Sequence, residues 1–314
     1  MNFRELQYVL VLEEERSFSR AAQKLFIAQP SLSQYISKLE EKLGMQLFDR
    51  STVPLQLTYA GELYVEMAKN ILGLKDQLTR QIDDIHSLKK GRLTIGLSTF
   101  RSSYVLPKVL PPFKQAFPGI EVFLMEGTVH ELEEYAKKGT TDLSIMTLPI
   151  SSEYFSYEPI LTEELLVAVP PTHQLRSQSN SNHSGIPYSL PRISLADLRD
   201  DPFIVLGHRL RQTTLDLCQQ AGFKPKIILT TRSTEAAHAL VAEGLGVTII
   251  PDTLVLLGNI LKHPLYFSID LPPTEDPLTT RILTLAYHKE RYLSKAAQEF
   301  ISLTKNLLGT FKSS

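Results

Sequence analysis

The chain has 314 residues, of which 43% are hydrophobic and 21% charged, with one cysteine and a formal net charge of -1. That length is too great for one ordinary domain and suits two, or three lobes of modest size. No apolar run reaches about eighteen residues, which excludes a membrane-spanning helix, and a lone cysteine permits no internal disulfide.

The first twenty residues mix apolar and charged side chains in helical spacing, so no signal peptide is expected and a reducing cytoplasm is the expected compartment. The near-neutral total charge counts mildly against a nucleic-acid partner. Locally the balance differs. Between Arg16 and Thr58 stand Arg16, Arg20, Lys24, Lys38, Lys42 and Arg50, against only Glu40, Glu41 and Asp49. A basic footprint this small implies that firm DNA binding needs more than one copy of the module.

Taken in chain order, Phe3, Leu6, Val9 and Leu10 share one face of a first helix. Ser19 suits the N-cap of a second, short helix that turns Ala21, Ala22 and Leu25 inward. Residues 26–29 break the pattern. Pro30 fits the first turn of a third helix with Leu32, Ile36, Leu39 and Leu43 inward, stopped at Gly44. Two short helices, a tight turn and small residues at the crossing predict a helix-turn-helix. Residues 46–58, with Leu47, Phe48, Leu55 and Leu57 around Pro54, predict a two-stranded wing.

A long helix is predicted over 59–90. Its apolar positions are Leu63, Met67, Ile71, Leu74, Leu78, Ile82, Ile85 and Leu88, at steps of three and four, close to the period of about 3.5 in a coiled coil. A helix that joins two domains has little of its own chain to pack on, so it predicts a homodimer; packing on its own domain is the alternative.

Beyond Gly91 strands and helices alternate. Strands are predicted at 92–97, 120–125 and 142–146, with helices at 102–117 and 129–138. The pattern recurs with strands at 202–206, 226–229 and 247–250 and helices at 209–221 and 234–243. Two βαβαβ halves predict two α/β lobes with parallel-rich sheets. Residues 177–191, rich in Ser, Asn and Pro, predict a surface loop.

The stretch 18–61 resembles the LysR-type transcriptional regulators. The residues that carry the likeness are Ser17-Phe18-Ser19-Arg20-Ala21-Ala22, Leu25, Gln29-Pro30-Ser31-Leu32-Ser33, Ile36, Leu39-Glu40, Leu43-Gly44, Leu47-Phe48-Asp49-Arg50, Leu57-Thr58 and Ala60-Gly61. It extends more thinly over Gly139, Asp142-Leu143, 165–170, Gly244-Leu245-Gly246-Val247 and Ile250-Pro251. The resemblance implies an all-α winged helix-turn-helix at 1–58, a linker and dimerisation helix at 59–90, and a two-lobed effector domain like a periplasmic binding protein at 91–314. Lobe I is expected at about 91–165 and 266–314, and lobe II at about 166–265. It also implies dimers of dimers, hence a homotetramer, with double-stranded promoter or operator DNA and a small-molecule effector as partners. RNA polymerase is a further candidate partner.

In a helix-turn-helix the N-terminal part of the second helix enters the major groove. That exposes Gln29, Pro30, Ser31, Ser33, Gln34 and Lys38, opposite the apolar face. Gln29 or Gln34 suits bidentate pairing with adenine, and the serines suit phosphate or base edges. Arg50 at the start of the wing is expected to meet a phosphate or the minor groove. Many family members have a second basic residue soon after it; Ser51-Thr52-Val53-Pro54 has none.

The first α/β strand runs into Ser98, Thr99, Phe100 and Arg101 just before a helix. Backbone N–H groups and hydroxyls at a helix start suit an anion. Ligands of doubly wound sheets lie outside the carboxyl ends of strands, which adds Thr128, Thr147 and Ile204. Arg101 suits a ligand carboxylate or a surface position. The expected effector is a small anionic metabolite.

The sequence carries no G-x-G-x-x-G, Walker A, G-x-S-x-G or H-E-x-x-H motif, and no histidines at metal-ligand spacing. No cofactor, metal or catalytic residue is expected. Cys218 lies on a predicted helix, where a buried structural thiol is the ordinary role. The reading is a sequence-specific, effector-controlled transcription regulator; the alternative is a cytoplasmic solute-binding or metabolic enzyme domain with an accessory helix-turn-helix.

Overall fold

The structure is a computed structural model, and it describes residues 2–85, 91–178, 190–207, 209–258, 262–270 and 278–309. The N-terminal head opens with α1 (Phe3–Glu15), α2 (Phe18–Lys24) and α3 (Gln29–Leu43). Asn2 and Glu5 form a reciprocal capping box at the start of α1. Ser17, not Ser19, caps α2: its Oγ accepts the Arg20 N–H, so the helix begins one residue before Ser19. Gly44, at φ 68°, closes α3 in the left-handed conformation that glycine adopts without strain.

Val9, Leu12, Ala21, Ala22, Leu32, Ile36 and Leu39 form the core of the head. Two positions expected inward face outward: Phe3 is 48% exposed and Leu43 is 42% exposed. Leu12 fills the core instead, because the buried face of α1 runs Leu6, Val9, Leu12. The wing is the antiparallel pair β1 (Phe48–Asp49) and β2 (Gln56–Leu57). Buried Glu40 pins it to α3 by accepting the N–H groups of Leu47 at 2.8 Å and Phe48 at 3.2 Å.

From the wing runs α4 (Tyr59–Ile85), 27 residues and about 40 Å long at the usual helical rise. Its first turn lies hard against the turn before the wing. A Cβ on Gly61 would sit 2.0 Å from the Leu47 carbonyl oxygen. Leu63, Met67, Leu74, Leu78 and Ile82 are all exposed along it. The expected extension through 86–90, with Leu88, lies outside the described residues.

The remainder builds two lobes. In the first, β3 (Gly91–Leu97) pairs in parallel with β4 (Ile120–Glu126) and β5 (Leu143–Thr147). The helix expected at 102–117 is two helices, α5 (Thr99–Tyr104) and α6 (Leu106–Ala116), and it begins three residues earlier because Ser98 caps it. Then come α7 (Val129–Lys138) and β6 (Phe155–Val169), a 15-residue strand. In the second lobe the elements are β7 (Arg192–Ile193), β8 (Pro202–Leu206), α8 (Arg209–Gln220), β9 (Lys226–Thr231), α9 (Thr234–Ala242), β10 (Thr248–Pro251), α10 (Thr253–Leu257) and β11 (Leu265–Ile269). The chain returns along β12 (Thr280–His288) and ends in α11 (Lys295–Gly309).

The sheets are less parallel than expected. β3, β4 and β5 pair in parallel, as do β8 and β9, but β12 is antiparallel to β5 and β6, and β10 and β11 are antiparallel to β6. The first part of β6 pairs with β12 and its end, Leu165–Val169, with β10 and β11, so this strand carries the chain from one lobe to the other. Leu265, Phe267 and Ile269 belong to the core of the second lobe. We therefore propose that lobe II runs through Ile269, past the 265/266 boundary expected from sequence.

Lobe I also touches the linker helix. Arg291 donates to the Lys138 carbonyl at 3.0 Å, and a Cβ on Gly73 of α4 would come within 2.9 Å of its guanidinium.

Candidate DNA-reading face and effector cleft

On α3, Gln29, Pro30, Ser31, Gln34 and Lys38 are exposed on one face and Ser33 is half-buried, while Leu32, Ile36 and Leu39 are buried on the other. Arg50 is placed differently from the expectation of a free DNA contact. Its Nη2 donates to Glu40 Oε2 at 2.6 Å and to Ser37 Oγ at 3.0 Å, and the guanidinium lies 5.4 Å from the Phe18 ring. One end of the side chain therefore fixes the wing to α3. The remainder, with the side chain 40% exposed, is still open to a phosphate.

A cleft of about 1000 Å³ lies between the lobes. The carboxyl ends of six strands reach it: Ser98 follows β3, Gly127 and Thr128 follow β4, Thr147 ends β5, Gly207 follows β8, Arg232 follows β9 and Pro251 ends β10. Of the sequence-predicted effector residues, Ser98, Thr99, Phe100, Arg101, Thr128 and Thr147 line it.

Ile204 does not. It is fully buried in the middle of β8 and packs with Ala168, Ala237, Val241 and Ile250. The rule that ligands lie beyond strand ends points to Gly207, three residues on, and an interior strand position was the wrong place to apply it.

Two of the hydroxyls already serve the backbone. Ser98 Oγ accepts the Arg101 N–H, and Thr128 Oγ1 accepts that of Glu131, whose carboxylate accepts the Thr128 N–H at 2.7 Å in return. That backbone hydrogen bond, with the Thr128 hydroxyl, holds the Glu131 carboxyl below its ordinary pKa.

Arg101 is not a surface residue, and it is not free for a ligand. It is 5% exposed, and both terminal nitrogens donate to Glu163, the second at 2.5 Å; Nη1 also donates to Thr253 Oγ1 at 3.2 Å. Arg281 of β12 adds a further contact to Glu163 Oε2 at 3.0 Å. Burial alone would push the Glu163 pKa up. The charges of Arg101 and Arg281 and the hydrogen bonds from Arg101 and Thr253 outweigh it and hold the group at about 2. Glu163 of β6, Arg281 of β12, Arg101 of α5 and Thr253 of α10 thus form one buried knot where the lobes join.

Sequence reasoning missed the second wall of the cleft: Arg209, Arg232 and Thr234 from lobe II, and Thr162, Thr280 and Arg281 from the crossing strands. For Arg209 and Arg232 a signal was present, since each falls just beyond a predicted strand. Among the described residues there is no cluster of three or more metal-ligating side chains, and no helix is long and apolar enough to cross a membrane.

A helix-turn-helix head, a long connecting helix and a two-lobed domain with a ligand-sized cleft make up an effector-controlled DNA-binding regulator. Residues 3–62 match the bacterial regulatory helix-turn-helix protein, lysR family, and residues 86–309 match the LysR substrate binding domain. The HTH-type transcriptional regulator YcgK of Bacillus subtilis is 36% identical over 98% of this chain and 95% of its own length. The hydrogen peroxide-inducible genes activator of Haemophilus influenzae is 31% identical over 98% of this chain and all of its own. The crystal structure of CbnR, a LysR family regulator, superposes with a TM-score of 0.66 at 23% identity, over 98% of this chain and 99% of that one. The chain belongs to the LysR family of transcriptional regulators, and it is a DNA-binding regulator with a substrate-binding effector domain.

Proposed function

We propose that this regulator answers to a small anionic metabolite held between its lobes, and that it is not itself an enzyme. The observation that carries the reading is the cleft, where six strand ends, several hydroxyls and the starts of α5 and α7 converge. Ser98, Thr99, Phe100, Thr128 and Thr147 are the contacts assigned on lobe I. Gln29, Pro30, Ser31, Ser33, Gln34 and Lys38 are assigned to DNA, with Arg50 as a partly committed phosphate contact. The exposed apolar stripe of α4 supports a homodimer through that helix, and the small basic footprint supports pairing of dimers into a tetramer. RNA polymerase is a candidate partner at the promoter, and the cytoplasm is the proposed compartment.

Several relatives are named for hydrogen peroxide induction. In this chain the sensing is assigned to the cleft and not to a thiol. Cys218 is the one cysteine, it is fully buried, and burial pushes its thiol up to about 12.

Gel shift with DNA flanking its own coding sequence tests the regulator; absence of a salt-sensitive, sequence-selective shift overturns it. Thr99→Ala and Thr128→Ala test the cleft. Both are expected to blunt the response to the inducer and leave operator binding in place. A normal response from both variants would mean that the site lies elsewhere.

A further inference from the structure

Charged side chains stand on both walls of the cleft. Lobe II presents Arg209, the first residue of α8, and Arg232 after β9; lobe I presents Glu126 and Glu131, with Glu133 of α7 standing beside Arg209. Arg209 reaches across the gap. Its Nη1 donates to the Thr147 carbonyl oxygen at 2.8 Å, and its Nη2 stands 3.6 Å from Glu133 Oε1.

The second contact is loose. At 3.6 Å it is outside hydrogen-bond range, and the two side chains are 43% and 24% exposed. Exposed ion pairs of this kind contribute little, whereas a carboxylate that accepts two short hydrogen bonds from one guanidinium is held far better. Arginine has five N–H donors in a fixed fork, so most of the fork remains for a third party. Arg101 and Arg281, which also line the cleft, are already held by Glu163, and Arg209 differs from Arg232, the fourth lining arginine, in its hydrogen bond to the opposite lobe.

We infer that Arg209 is the residue that binds the effector's anionic group, a carboxylate, which displaces Glu133 from it. This rests on the reading that the cleft takes a small anion, and it names the group that recognises the charge. Thr147 ends β5, so the guanidinium lies over the strand ends of lobe I while its backbone belongs to lobe II. A ligand seated there touches both lobes. Specificity follows: an uncharged isostere leaves Arg209 on Glu133 and gains nothing from it.

The test uses the full-length chain and benzoate, whose ring suits a lining that includes Phe100, Met146, Leu148, Leu210 and Ile282, with benzamide as its uncharged counterpart. Calorimetric titration is expected to show millimolar benzoate binding to the wild type and none of benzamide. Arg209→Gln is expected to weaken benzoate by about tenfold or more, the range of a lost charge-assisted hydrogen bond. Glu133→Gln is expected to strengthen it, because the competing carboxylate is gone. A positioning role for Arg209 would not produce that opposite sign.

If benzoate binds Arg209→Gln as it binds the wild type, but Thr99→Val abolishes binding, the cleft reading stands and the role of Arg209 falls. If neither variant alters binding, both fall; if the wild type binds no benzoate at millimolar concentration, the role of Arg209 falls, and the inducer response of Thr99→Ala and Thr128→Ala decides the cleft reading. Should Arg209→Gln not fold, Glu133→Gln decides alone, and no gain in affinity overturns the inference.

Discussion

Glu163 and Arg281 face each other at 3.0 Å on β6 and β12, two neighbouring strands at the join between the lobes. Arg101 donates to both carboxylate oxygens, and Glu163, set between the two arginines, is fully buried. Removing one partner of a buried pair leaves the others uncompensated, so Glu163→Gln is expected to destabilise the effector domain by about 3–5 kcal/mol. Urea unfolding checks this; a change no larger than that of an exposed Glu→Gln control would show that the knot carries no stability.

The same group sets an acid limit. Its folded pKa of about 2 lies below its ordinary value of 4.5. The unfolded chain therefore takes up the proton first. The stabilisation is complete above about 4.5, and it is lost as pH falls from there towards about 2, by roughly 3 kcal/mol in all. Unfolding free energies measured across that window are expected to slope steeply in the wild type and less so in Glu163→Gln.

His238 acts in a separate, milder window. It is 4% exposed, its Nε2 lies 2.6 Å from the Tyr266 hydroxyl, and burial, with His263 nearby, depresses its pKa from 6.5 to about 4. Because the folded state disfavours the proton, its contribution is present above 6.5 and declines as pH falls towards 4. His238→Gln is expected to flatten the stability profile in this range. An unchanged slope between pH 6.5 and 4 would count against the assignment.

Gly61 fixes how the linker helix leaves the wing. A methyl group there meets the Leu47 carbonyl oxygen at 2.0 Å, and main chain has to move to admit it. Gly61→Ala is expected to lower head stability by about 1–3 kcal/mol, the range for overpacking, and to weaken operator binding in the gel shift. Wild-type melting and binding would mean that the turn yields more easily than its geometry implies.

On the DNA face, charge and sequence readout separate. Lys38→Ala is expected to weaken all sequences alike and to reduce the salt slope by about one. Gln34→Ala is expected to relax selectivity at one base position by about 1–3 kcal/mol. Fluorescence titrations against an operator panel at two salt concentrations distinguish them.

The head was readable because its signals are local. Periodicity found α3, the alanine pair marked the helix crossing, and Gly44 marked the stop. The lobes were readable where strand and helix alternate over short spans, as in β8, α8 and β9. The crossing strands were not. β6 changes partners midway, and its burial pattern shifts with them, so no single period runs through it. Glu163, within Thr162-Glu163-Glu164, reads in one dimension as an ordinary surface acid. Only long-range pairing with Arg101 and Arg281 shows it to be the centre of the join. Ile204 failed for the converse reason: an apolar strand interior was taken for a strand end.

Gly73 and Arg291 give this architecture a mechanical asymmetry. The close approach of Arg291 to α4 fastens lobe I to the same rod that carries the head, while lobe II hangs from the crossing strands and the cleft contacts. A bulkier side chain at Gly73 is therefore expected to disturb the seat of lobe I on α4 while leaving the cleft and the DNA face untouched.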